Sequence, residues 1–184
     1  MAERTTKTNT AGTKSAKTVK DTTIHTPAAE KVVEDELNLD TKVTIKNLAG
    51  WDVSFPLKHE GYGGIKITKD GKQRLSRNEI QAQVNADNKL FVGKGNGEHA
   101  TIYIEDKATR KWLGFEDDNQ PQKIFTDKLV EYLFDMNQSD FESNLPVYIV
   151  TRAEKYALME AIKRLEYNDY RKIVFASNYT GYKI

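Results

Sequence analysis

Between Thr41 and Glu116, apolar residues recur at every second position. Val43 and Ile45 alternate with polar residues in KVTIKNL, and Trp51, Val53 and Phe55 do so in WDVSF. The pattern returns as Ile65 and Ile67 in GIKIT and as Ile102 and Ile104 in TIYIED. Because successive side chains of a strand point to opposite faces, each run predicts a half-buried strand. KLFVG predicts another, joined to TIYIED by the glycine-rich GKGNGEHA as a hairpin. Asp70-Gly71 predicts a tight turn of the kind that closes a hairpin. One interruption is helical: SRNEIQAQVNADN opens on Ser76, has Glu79 three residues later as in a capping box, and spaces Ile80 and Val84 four apart.

From about Pro121 the period lengthens. IFTDKLVEYLFDM places Phe125, Leu129, Val130, Leu133 and Phe134 at helical spacing, with Thr126 as cap and a Phe125/Val130 staple. TRAEKYALMEAIKRLEYN follows, with a Thr151/Glu154 capping box and a Leu158, Ile162, Leu165 stripe. NDYRKIVFASNYTG predicts a third helix, capped by Asn168 and ended by Gly181. Helices this short do not persist alone in water, so they must pack on one another or on the strands.

Before Thr41 there is little to bury. Residues 1–26 are Thr, Lys, Ala and Ser, with Lys7, Lys14, Lys17 and Lys20 as candidate partner-binding residues, and EKVVEDELNLD then reverses the charge. Such a composition cannot offset an ordering cost of roughly 1 to 2 kcal/mol per residue. The expected fold class is α+β: an extended N-terminal arm and acidic linker (1–40), a small β-barrel or β-sandwich with one inserted helix (41–117), and a C-terminal three-helix domain (118–184).

Composition narrows the chemistry. The 184 residues carry a formal net charge of +1, so only a local patch could attract nucleic acid or a membrane. With no cysteine, disulfides, thiolate metal sites and cysteine nucleophiles are excluded. No stretch approaches the ~20 apolar residues of a membrane span, and the polar start lacks a secretory core, so a protein kept inside the producing cell is expected.

Candidate sites are few. GKGNGEHA lacks the Lys-Ser/Thr and the following helix of a phosphate loop. His25, His59 and His99 share no metal-ligand spacing, and Glu105, Asp106 and Glu116 to Asp118 read as solvated turns. No nucleophile or kinase signature occurs, so neither enzyme activity nor a cofactor is expected. Trp51, Phe55, Phe91, Tyr103 and Trp112 have the chemistry of a base-stacking platform, but alternation sends most of them to the core. Arg152, Lys155, Lys163, Arg164, Arg171 and Lys172 are interleaved with Glu154, Glu160, Glu166 and Asp169, as on a solvated helix face.

Four phrases, VTIKNLAGWDVSFP, GKQRLSRNEIQAQVNADNKLFVG, GNGEHATIYIEDKATRKWLGFE and YNDYRKIVFASNYTGYKI, resemble small proteins encoded near the head genes of tailed bacteriophages. The likeness runs from about Lys42 to Ile184 and leaves out the arm. It implies a non-enzymatic virion component: a minor capsid, decoration or head-tail junction protein, present in many copies. Its implied partners are capsid or portal/connector proteins, and its implied location is the virion, after assembly in the host cytoplasm. The alternative is a nucleic-acid-binding module that uses the basic arm and the β-surface aromatics.

Overall fold

The computed structural model describes residues 37–183. Five strands are present there: β1 (Lys42–Asn47), β2 (Val53–Pro56), β3 (Gly64–Ile67), β4 (Lys72–Ser76) and β5 (Ile102–Ile104). Seven helices accompany them: α1 (Arg77–Asn85), α2 (Lys89–Val92), α3 (Lys107–Trp112), α4 (Asp127–Asp135), α5 (Gln138–Tyr148), α6 (Arg152–Arg164) and α7 (Tyr170–Thr180). The class is α+β, as expected.

The strands lie in two antiparallel sheets, β4-β1-β5 and β2-β3. In the first, Val43 faces Leu75 and Ile45 faces Ile104. The alternation in β1 therefore lays its apolar side chains beside those of both neighbours. No barrel closes among the described residues. The strands are short, β2 ends in Pro56, and β4 passes straight into α1 at its cap Ser76, so no strand remains to join the sheet edges. The Asp70-Gly71 turn forms, with Asp70 at φ 56° and the Gly71 N–H donating to Thr68 O, but it does not close a hairpin. It carries the chain from β3 to β4, which belong to different sheets.

Buried Asn47 ties these sheets together. Its Nδ2 donates to Trp51 O at 2.8 Å and Thr68 O at 3.0 Å, while its Oδ1 accepts from Ala49 N at 2.9 Å. Each end of the amide is satisfied, which is the condition for burying it without a net cost.

Two further expectations fail because tertiary burial overrides the local pattern. KLFVG forms the short helix α2, because Asn88 caps it through Leu90 N and two adjacent residues, Phe91 and Val92, are both buried. A strand would turn one of them outward, and an apolar run this short is compatible with either element. The expected hairpin is consequently absent, and β5 pairs with β1. Four helices rather than three follow Pro121. The additional one, α5, holds Ser, Asp, Asn and an internal Pro146, all poor helix formers. Asn137 caps it through Asp140 N, and Phe141 and Leu145, both wholly buried, hold it by tertiary packing.

Elsewhere the cap signals succeed. Thr126 accepts from Leu129 N, and Thr151 and Glu154 form both bonds of a capping box. Gly181 ends α7 at φ 76°, although Asp169 rather than Asn168 caps its start. Ser76 receives Glu79 N, yet the Glu79 carboxylate does not return the bond. It points across the fold, and the Ser76 N–H goes instead to Glu60 Oε1 at 3.0 Å.

The described residues, 37–183, fall in one compact unit with two apolar clusters. The first gathers Ile45, Phe55, Leu75, Ile80, Phe91 and Ile104 among others. The second gathers Leu133, Phe141, Leu145, Leu158 and Ile162 from α4, α5 and α6, with Ala176 of α7. Each fully buried Leu, Ile or Phe among them contributes roughly 1.5 to 3 kcal/mol. Helix α6 serves both clusters, since its Ala153 belongs to the first. Gly50 lets the strands approach it: a Cβ there would lie 1.9 Å from Tyr156 Cε1. Lys172, expected on a solvated face, is buried. Its ammonium donates to Phe134 O at 2.5 Å and Met136 O at 2.6 Å, carbonyls left free at the end of α4.

Candidate functional site

The glycine loop between α2 and β5 has its amides already engaged. Lys94 N donates to Glu98 O, Gly95 N and Gly97 N to Val92 O, Glu98 N to Gly95 O, and Ala100 N to Gly97 O. These N–H groups are turned inward and are not offered to an anion, unlike those of a phosphate-binding nest. The glycines serve close approach: a Cβ on Gly93 would meet Glu98 O at 1.9 Å, and one on Gly97 would meet the Phe115 ring at 2.6 Å.

The buried carboxylates are engaged as well. Glu79, fully buried, accepts from Lys58 N, His59 N and Glu60 N at 2.6 to 3.1 Å and from Gln83 Nε2 at 2.6 Å. Burial opposes its charge, but these donors outweigh it and hold its pKa below the ordinary glutamate value. The loop from Leu57 to Gly63 is thereby pinned, and presents Tyr62 fully to solvent. Glu116, read from sequence as a turn residue, is instead buried against Arg110, which donates through Nε at 2.8 Å and Nη2 at 3.1 Å. Asp106 caps α3 through Thr109 N and receives Arg77 Nη2 at 3.0 Å. Burial works against these two carboxylates also, yet their donors lower both pKa values.

A surface of different character lies where the glycine loop meets the helices. His99, at φ 58°, donates its N–H to Lys123 O at 2.8 Å, and its Nδ1 lies 2.7 Å from Glu154 Oε1. Glu154 Oε2 accepts from Val150 N and Thr151 N, so one carboxylate caps α6 and fastens the loop to it. Beside this pair runs a groove of about 540 Å³ lined by Ile124, Leu129, Val147 and Tyr148, with Lys123 and Glu98 paired at its rim. Val147 is 64% exposed, and Tyr132, 53% exposed, meets Tyr148 edge-on with ring centroids 6.1 Å apart. The charge and hydrogen bonding of Tyr148 raise the Tyr132 pKa above the usual tyrosine value, leaving Tyr132 a neutral phenol near pH 7. Glu131 and Asp135 stand exposed on the same helix as Tyr132. An open apolar floor, an exposed aromatic and a polar rim are the anatomy of a protein-docking surface.

Sequence reasoning missed this groove because it depends on α5, whose residues argue against a helix. The signal was present in Val147 and Tyr148, apolar residues following a proline. Lys7, Lys14, Lys17 and Lys20 lie outside the described residues, as does His25. Of the aromatics weighed for base stacking, Phe55 and Phe91 are buried and meet edge-on at 5.1 Å. Trp51 is covered by the Arg152 guanidinium at 5.0 Å and Tyr103 by that of Arg110 at 4.8 Å, while Trp112 is partly exposed. A further opening between sheet and helices, lined in part by Lys46, Lys69, Tyr103, Tyr156, Glu160 and Arg164, mixes both signs of charge.

Comparison with known proteins finds no matching family model, no matching curated protein and no matching solved structure.

Proposed function

We propose that this chain is a non-enzymatic structural protein of a tailed-phage particle, associated with the head as a minor capsid, decoration or head-tail junction component. It is held there in many copies by protein contacts, with its N-terminal segment as one attachment. The observation that carries the reading is the groove between the His99 loop and the α4–α5 pair. It leaves Tyr132 and Val147 in water beside one apolar floor. Among the described residues, the other exposed large apolar side chains, Tyr62, Trp112, Tyr170 and Val174, do not line it, and most of the rest are gathered into two clusters. A repeating lattice makes such a modest surface sufficient, because several weak contacts engaged together give a strong attachment.

The test is to express the tagged chain in cells producing phage particles and to separate the particles on a density gradient. Co-migration with heads, reduced by Tyr132→Ala combined with Val147→Ser, is the expected result. A chain that stays wholly at the top of the gradient overturns the reading. Recovery on nucleic acid, released by salt and nuclease, would favour a nucleic-acid-binding module instead.

A further inference from the structure

The exposed face of α4 and α5 has a sign as well as a shape. From Asp127 to Tyr148 the chain holds five carboxylates, Asp127, Glu131, Asp135, Asp140 and Glu142, against the single Lys128. Arg164 takes up Asp127 through a two-pronged pair, with nitrogen-oxygen distances of 2.6 and 2.8 Å. Glu131 and Asp135 stand exposed on the same helix as the half-exposed Tyr132, and, after burial, their charges raise the pKa of Tyr167. An exposed phenol ring on a helix that carries exposed carboxylates suits an ammonium group, which can gain from a ring face and from negative charge. The apolar groove beside it suits one aliphatic side chain.

The same chain contains a segment of that chemistry. Residues 1–26 hold five basic residues against two acidic ones, and Lys17-Thr18-Val19-Lys20 sets an aliphatic side chain among lysines. The stretch from Glu30 to Glu36, with four carboxylates and one lysine, has the wrong sign. The described structure begins near the start of α1, where Leu39 O accepts Asn78 N and Asn38 O accepts Arg77 Nη1. The 36 residues before that point can span up to about 120 Å when extended, far enough to reach another molecule.

We infer that the groove and the Tyr132 face of one copy receive the lysine-rich segment around Val19 from a neighbouring copy. Val19 enters the groove, and Lys17 and Lys20 meet Tyr132, Glu131 and Asp135. The contact runs from one surface to a different one, so it propagates from copy to copy around a ring or along a lattice. The inference rests on the assembly reading above only in requiring copies to lie near one another.

The test is a charge exchange in the full-length, nuclease-treated protein, followed by sedimentation velocity over a range of concentrations. One variant carries Lys7→Glu, Lys14→Glu, Lys17→Glu and Lys20→Glu. The other carries Glu131→Lys and Asp135→Lys at exposed positions, and circular dichroism checks that both are folded. The unaltered protein should associate as concentration rises, and more weakly by about tenfold in high salt. Each variant alone should remain monomeric, and an equal mixture of the two should associate again. An unaltered protein that stays monomeric, association that survives in either variant, or a mixture that fails to associate each overturns the inference. A free protein that is monomeric but still joins particles overturns it while leaving the assembly reading intact.

Discussion

His99 and Glu154 meet at 2.7 Å although 55 positions separate them, and their contact fastens the glycine loop to the start of α6. His99 holds φ 58°, a left-handed conformation uncommon for a residue other than glycine, and the surrounding contacts, its bond to Glu154 among them, hold it there. Removing the imidazole by His99→Ala leaves one oxygen of a buried carboxylate without its partner. A loss of about 1 to 3 kcal/mol is expected. Urea denaturation followed by the two tryptophans would measure it, and an unchanged midpoint would mean the pair contributes nothing.

Glu79 serves the loop from Leu57 to Gly63 as an anchor for three successive amides. In Glu79→Gln the charge is lost, and one end of the side chain becomes a donor facing donors. A destabilisation of roughly 2 to 3 kcal/mol is expected, with the loop released first. Amide hydrogen exchange at Lys58, His59 and Glu60 should accelerate more than exchange in β1. Equal acceleration at both sites would show that the carboxylate supports the whole fold and not the loop.

Acid should weaken this protein through named groups. Glu60 is lowered by its bond to Ser76, and Glu79, Asp106 and Glu116 are lowered by donors that outweigh burial. A carboxyl whose folded pKa is depressed contributes stability that is present above its unfolded value and lost as pH falls through the folded one. The loss should therefore begin near pH 4, the ordinary carboxylate range, and deepen below it. Thermal midpoints measured from pH 7 to pH 3 should be nearly flat at first and then drop. In Glu79→Gln the drop should be shallower, because one of the linked groups is gone; an identical slope would remove Glu79 from the account.

Gly50, in the connection from β1 to β2, packs directly on Tyr156 of α6. The clash is one of space and not of backbone angle, so Gly50→Ala is expected to cost about 1 to 3 kcal/mol by overpacking. Trimming the ring by Tyr156→Ala removes the obstacle. In the double mutant the alanine at 50 should then cost much less, and calorimetry of the four proteins gives the coupling. Strict additivity would show that the loop, not the ring, gives way.

Sequence alone determined the features that act over one turn of chain. Ser76, Thr126 and Thr151 cap helices where their spacing placed them, and Gly181 ends α7 because a left-handed residue costs glycine least. Alternation identified β1, β2, β3 and β5, since period two is a property of the strand itself. What the chain could not disclose are the choices settled by contacts between distant residues. KLFVG is short enough for either element, and the burial of Phe91 and Val92 together made it helical. The helix through Pro146 exists because Phe141 and Leu145 are buried by α4, α6 and α7, a gain that exceeds poor local propensity. One residue at a time, Glu79 reads as a helix-cap partner and Glu116 and Lys172 as surface charges. Only the folded chain supplied the amides, the guanidinium and the helix-end carbonyls that make burying them favourable, and it alone brought Ile124, Leu129, Val147 and Tyr148 around one groove.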